Sequence, residues 1–130
     1  MANMRKSCRV LIVEDNELMR KTIRAFLSDL GAEIVGEAID GNEAVQAYDK
    51  HRPDITLLDI ELPGKSGTEV LQEIIGREPT AYIVMLTAVS DMSVADACIE
   101  AGAQSYIRKG AAPDAFKAML KARIVDIMTN

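Results

Sequence analysis

Five short apolar runs rich in β-branched residues alternate with five stretches whose apolar residues recur at helical spacing, and this alternation leaves few folds open. Arg9-Val10-Leu11-Ile12-Val13 is the first run, and four apolar residues in succession suit a strand covered on both faces. Leu18/Met19, Ile23, Phe26/Leu27 and Leu30 then follow a helical period, with Arg20, Lys21 and Arg24 between them. Gly31 stands where a helix takes a left-handed stop. Further strands are predicted over residues 32–36, 55–58, 82–87 and 105–108. Asp40 with Glu43, and Ser66 with Glu69, have the spacing of helix caps. The helix opened by Asp40 stops before Pro53. A fourth helix is predicted over residues 90–101, and Pro113 opens the last, whose stripe is Phe116, Leu120, Ile124 and Ile127. Alternation of this kind predicts an α/β fold: a doubly wound, five-stranded parallel sheet with five flanking helices and right-handed crossovers.

The 130 residues carry 15 Lys and Arg against 20 Asp and Glu, for a net charge of −5. That length suits one domain with its own core. A composition 48% hydrophobic and 27% charged argues against disorder. A broad nucleic-acid footprint needs clustered positive charge, and aromatic residues at 4% with no Trp offer no base-stacking platform. No apolar run approaches the ~20 residues that span a bilayer. Met1-Ala2-Asn3-Met4-Arg5-Lys6 contains no apolar segment, so no secretory signal is expected. Cys8 and Cys98 stand far apart, without partners at metal spacing. They read as reduced thiols that pack as small hydrophobes in a cytoplasmic protein.

In open parallel sheets, ligands bind beyond the carboxyl ends of the strands. The first strand ends in Glu14-Asp15, the third in Asp59, the fourth in Thr87 and the fifth in Arg108-Lys109. Clustered carboxylates raise one another's pKa unless a cation sits among them. Their hard oxygens select Mg²⁺, Ca²⁺ or Mn²⁺. Lys109 is a compact charge suited to a phosphoryl oxygen, and Thr87 can donate to another. Asp59, closing an apolar strand, can serve as an in-line nucleophile, since carboxylates form aspartyl phosphates. Singly, each residue has a plainer role: cap, turn residue, β-branched strand residue or solvated charge. Their joint placement favours chemistry.

Taken in order, these segments resemble a family. Val10-Leu11-Ile12-Val13-Glu14-Asp15-Asn16, Asp54-Ile55-Thr56-Leu57-Leu58-Asp59, Leu62-Pro63-Gly64-Lys65-Ser66-Gly67, Ile83-Val84-Met85-Leu86-Thr87-Ala88 and Gly102-Ala103-Gln104-Ser105-Tyr106-Ile107-Arg108-Lys109 are similar to the motifs of response-regulator receiver domains, the phosphoacceptor modules of two-component signalling. The resemblance spans residues 7–128 and implies one receiver domain over residues 1–130, of the stand-alone type, with flavodoxin-like strand order 2-1-3-4-5. It implies that Asp59 takes a phosphoryl group from a phosphohistidine donor, and that Glu14, Asp15, Asp59 and the carbonyl of Glu61 hold Mg²⁺. Thr87 and Lys109 would bind phosphoryl oxygens, and Tyr106 would swing inward with Thr87 as the switch. The implied partners are a sensor histidine kinase or histidine phosphotransfer protein and a downstream protein target, docked on helix 4, strand 5 and helix 5. Direct contact with nucleic acid or membrane is not expected, and a homodimer through the last helix is open. Such a domain is no enzyme beyond its self-catalysed phosphorylation and dephosphorylation.

Two positions depart from the pattern. Gly110 follows Lys109 where receivers usually carry a cis proline, so either a strained cis bond or a trans route is expected. Glu61 adds a carboxylate two residues past the acceptor, facing solvent, the metal's waters or a basic neighbour. His51, the only histidine, lies at a helix end with no helical bundle around it, which argues against a phosphohistidine role. Two other functions remain open from sequence. One is an unphosphorylated interaction module on the same fold. The other is a small Mg²⁺-dependent phosphohydrolase built on Asp59 and Glu61, for which no cap segment is visible.

Overall fold

The polarity of the strands sets their order. In the computed structural model, β1 (Arg9–Val13), β3 (Ile55–Asp59) and β4 (Ile83–Thr87) are buried throughout except at Arg9. They form the middle of the sheet, while the more exposed β2 (Glu33–Ala38) and β5 (Ser105–Arg108) form its edges. Every pairing is parallel, and the order is β2-β1-β3-β4-β5, the flavodoxin-like order that the resemblance implies. The structure describes residues 7–129; the absence of a signal in Met1–Lys6 concerns residues outside that range. Among the described residues, no helix is long and apolar enough to cross a membrane.

Successive strand residues point to opposite faces, and each face receives its own helical layer. Leu11, Val13, Leu58, Ile83 and Met85 pack with residues of α2 (Gly41–His51), α3 (Gly67–Arg77) and α4 (Met92–Glu100). Val10, Ile12, Leu57, Val84, Leu86 and Ile107 pack under α1 (Glu17–Asp29) and α5 (Pro113–Met128), where the Phe26 and Phe116 rings lie 5.7 Å apart. Cys98 belongs to the first layer and Cys8 to the second, each buried among apolar side chains. Burial pushes the Cys98 thiol pKa up, although a contact with the Thr68 hydroxyl pulls it back in part.

The local signals act as their chemistry requires. Asp40 accepts from the Glu43 amide at 2.8 Å, and Ser66 from the Glu69 amide at 3.2 Å. Gly31 takes the left-handed conformation, with φ of 75°. Three expectations need correction. β2 starts at Glu33 and runs on to Ala38, because pairing resumes past an irregularity between Val10 and Leu11 and carries through Val13↔Ala38. The predicted fourth helix divides into a 3-10 turn, Val89–Asp91, and α4, and neither start has a side-chain cap. Leu18, counted in the apolar stripe of α1, is 73% exposed, and the buried stripe of that helix is carried by Ile23 and Leu27 further along.

The loop after β3 folds back tightly. Gly67 donates to the Ile60 carbonyl at 2.8 Å, and its Cα lies so close to the Asp59 carbonyl that a Cβ would overlap that oxygen. Gly41 presses in the same way on the Lys65 carbonyl and donates to the Pro63 carbonyl at 3.2 Å. Residues 60–67 are therefore fixed at both ends. Gly67→Ala should lower unfolding stability in urea by about 2 kcal/mol, as overpacking against backbone does. Gly76→Ala, with open space around it in α3, should raise stability by about 0.5–1 kcal/mol. Equal effects of the two changes would contradict this account of the loop.

Candidate functional site

The carboxyl ends of β1, β3 and β5 converge on a cleft of about 270 Å³ lined in part by Glu14, Asp15, Asp59, Glu61, Asp91 and Lys109. Five carboxylates there face one ammonium. β1 delivers Glu14 to a fully buried position and leaves Asp15 exposed; β3 ends in Asp59, 3% exposed. Lys109, just past β5, reaches back between the two buried acids. Its Nζ lies 2.7 Å from Glu14 Oε1 and 2.8 Å from Asp59 Oδ2.

Burial is the largest influence on Asp59. Desolvation raises its pKa and the neighbouring Glu14 charge adds to that, while Lys109 opposes both; the outcome is a pKa of about 7. Burial pulls the Lys109 ammonium down, but Asp59 and Glu14 outweigh it and hold the pKa above the ordinary lysine value. Lys109 thus stays charged and is the cation that the clustered acids require.

One oxygen has no hydrogen-bond donor. Glu14 Oε2 accepts from the Asn16 amide at 3.0 Å, but buried Oε1 has no hydrogen bond even with Lys109 close by, so that contact is ionic and off the hydrogen-bond direction. Ligand oxygens of Glu14, Asp15 and Asp59 lie within 4.8 Å of one another. A hard-oxygen set of three carboxylates, two of them buried, fits a divalent cation such as Mg²⁺.

Not every expected residue faces the cleft. Thr87 is buried, and its hydroxyl donates to the Ala88 carbonyl at 2.9 Å. Its own carbonyl accepts from the Lys109 amide at 2.9 Å, which ties the end of β4 to the lysine. Tyr106 is half-buried against the layer of α2, α3 and α4, away from the carboxylates. The Glu61 side chain is exposed on the rim, and its amide donates to Asp59 Oδ1 at 3.3 Å. No peptide bond among the described residues is cis, so the loop at Gly110 takes the trans route, and Lys109 nevertheless reaches both acids. His51 sits in the last turn of α2, with its ring against Gly36.

Sequence reasoning missed Asn16 and Asp91 in the lining. Asn16 carries a readable signal, because its side chain caps α1 by accepting from the Met19 amide at 2.8 Å. Asp91 carries none, since only the unforeseen 3-10 turn brings it to the cleft.

Known proteins share this arrangement of chain. The family described as response regulator receiver domain matches residues 10–121. Protein CcdB of Bacillus subtilis is 40% identical over 101 residues, covering 78% of this chain and 84% of its own length. Transcriptional regulatory protein PdtaR of Mycobacterium tuberculosis is 41% identical over 101 residues and 78% of this chain, and the match spans 49% of PdtaR. The crystal structure of a two-component response regulator of the LuxR family from Aurantimonas sp. SI85-9A1 aligns with a TM-score of 0.84 at 29% identity, over 93% of this chain and 87% of that one.

Because Asp59 holds its proton up to about pH 7 when folded and releases it near pH 4 when unfolded, the native state binds more protons between those values. Stability should fall as pH rises through that window, by at most about 1.4 kcal/mol per pH unit. In EDTA, the melting temperature should drop from about pH 5 to about pH 7, and Asp59→Asn should flatten this slope. A slope unchanged in Asp59→Asn would assign the titration to another group.

Proposed function

The chain belongs to the response-regulator receiver-domain family of two-component signalling, and we propose that it is a Mg²⁺-dependent phosphoacceptor that carries the phosphoryl group on Asp59. The observation that carries this reading is the buried Asp59 carboxylate, bridged to buried Glu14 by one ammonium at the open end of the sheet. Structural ion pairs are common, but five acids around one lysine in an open cleft form a poor structural element and a good cation and phosphoryl site.

In this reading an Asp59 carboxylate oxygen attacks the phosphorus of a phosphohistidine on a sensor kinase or histidine phosphotransfer protein. A P–O bond forms and the P–N bond breaks, and the imidazole nitrogen keeps its electron pair. Glu14, Asp15, Asp59 and the Glu61 carbonyl would hold Mg²⁺, which would supply charge neutralisation for the transferring group. The Lys109 ammonium, freed from one carboxylate oxygen, binds a phosphoryl oxygen. The tight Gly67 turn keeps Asp59 from drifting, so attack costs little reorganisation.

The same reading gives Thr87 and Tyr106 the role of a switch. The Thr87 hydroxyl exchanges the Ala88 carbonyl for a phosphoryl oxygen by rotation of one side-chain bond. The shift at the end of β4 passes to the 3-10 turn, α4 and the half-buried Tyr106, and so alters the surface of α4, β5 and α5 that docks a downstream protein. The domain acts through such docking as a single receiver unit.

Incubation with acetyl phosphate and Mg²⁺ should add one phosphoryl group to the intact mass, and EDTA or Asp59→Asn should abolish the addition. Lys109→Gln should slow labelling by about 100-fold, as loss of one preorganised charge contact does. No labelling of the parent chain would favour an unphosphorylated interaction module. Repeated turnover of a phosphomonoester would favour a phosphohydrolase.

A further inference from the structure

Glu14 and Asp15 are adjacent in sequence, and adjacent residues of an extended chain send their side chains to opposite sides. Both carboxylates nevertheless reach one cluster with Asp59. The chain must therefore turn sharply between β1 and α1, and something must hold that turn against the mutual repulsion of the acids.

Arg20, one turn into α1, occupies the position to do so. Its Nη1 donates to the backbone carbonyl of Glu14 at 2.9 Å and to that of Asp15 at 3.0 Å. The side chain is 16% exposed, and its Nε lies 3.4 Å from Glu37 Oε1 on β2, opposite Ile12 of β1. Arg24 reaches the same Glu37 oxygen at 2.7 Å but makes no hydrogen bond to the acidic turn among those described. A planar guanidinium locked to β2 and to two successive carbonyls defines the turn as a point charge does not.

We infer that Arg20 is a positioning residue: by clamping the Glu14 and Asp15 carbonyls it aims both carboxylates at Asp59 and so sets the affinity of the pocket for a divalent cation. The inference rests on the Mg²⁺-dependent reading above, and it makes a prediction opposite in sign to electrostatics. Removing a positive charge beside an anionic pocket should by itself tighten cation binding. Loss of positioning should weaken it.

Calorimetric titration of the full chain with Mg²⁺ separates the two. Arg20→Gln should raise Kd roughly tenfold, the scale of outer-shell losses at metal sites. Arg20→Lys, with its charge retained, should also bind more weakly. Arg24→Gln, with the same charge change and no clamp to lose, should bind as the parent does or more tightly. Should Arg20→Gln fold poorly, Arg20→Lys carries the test, because it keeps the charge, loses the planar fork and should still raise Kd. Amide exchange in EDTA gives a readout without metal: Asn16 should exchange faster in Arg20→Gln, with β1 unchanged. A Kd in Arg20→Gln equal to or below that of the parent, or uniform acceleration across β1, overturns the inference. A parent chain that binds no Mg²⁺ overturns the phosphoacceptor reading instead.

Discussion

One ammonium holds two buried carboxylates at the open end of an apolar sheet. Without Lys109, Glu14 and Asp59 would repel each other across a poorly solvated gap, and one of them would have to take a proton. The pairing is a compromise rather than a resting optimum, since burial still pushes Asp59 up to about 7 and Glu14 Oε1 lacks a hydrogen-bond donor. A fully satisfied ion pair would be inert. In the proposed reading the ammonium moves from carboxylate to an incoming anion.

The rest of the fold keeps that compromise from relaxing. Two apolar layers bury β1, β3 and β4, so the strand ends cannot splay to separate the charges. Gly67 and Gly41 allow backbone to pack on backbone and confine the loop past Asp59. Asn16 caps α1 on the other side of the cleft, and Arg20 ties that helix to the acidic turn. On the side of Thr87, the 3-10 turn and α4 start without side-chain caps.

Much of this was legible in the sequence because the signals are local. Val10–Val13 can only be a strand buried on both faces, and Asp40, Ser66 and Pro113 mark helix starts by chemistry that needs no tertiary partner. Strand ends then placed Glu14, Asp15, Asp59 and Lys109 together, because a parallel sheet sends all its carboxyl ends to one edge. What escaped depends on distant contacts. The length of β2 is set by its register with β1, and the exposure of Leu18 by what packs against the first turn of α1. The Thr87 hydroxyl finds a backbone acceptor one residue away. Arg20 reads as an ordinary helix cation until the turn beneath it is seen.

The central claim is that the cleft gathers its acids to make Asp59 the residue that carries a labile phosphoryl group. Borohydride reduces an aspartyl phosphate to homoserine, so peptide mass spectrometry after phosphodonor treatment reads which residue was modified. The account predicts homoserine at position 59 alone, and only when Mg²⁺ is present. Homoserine at position 15, a stable ester on Thr87, or modification that persists in EDTA would contradict it.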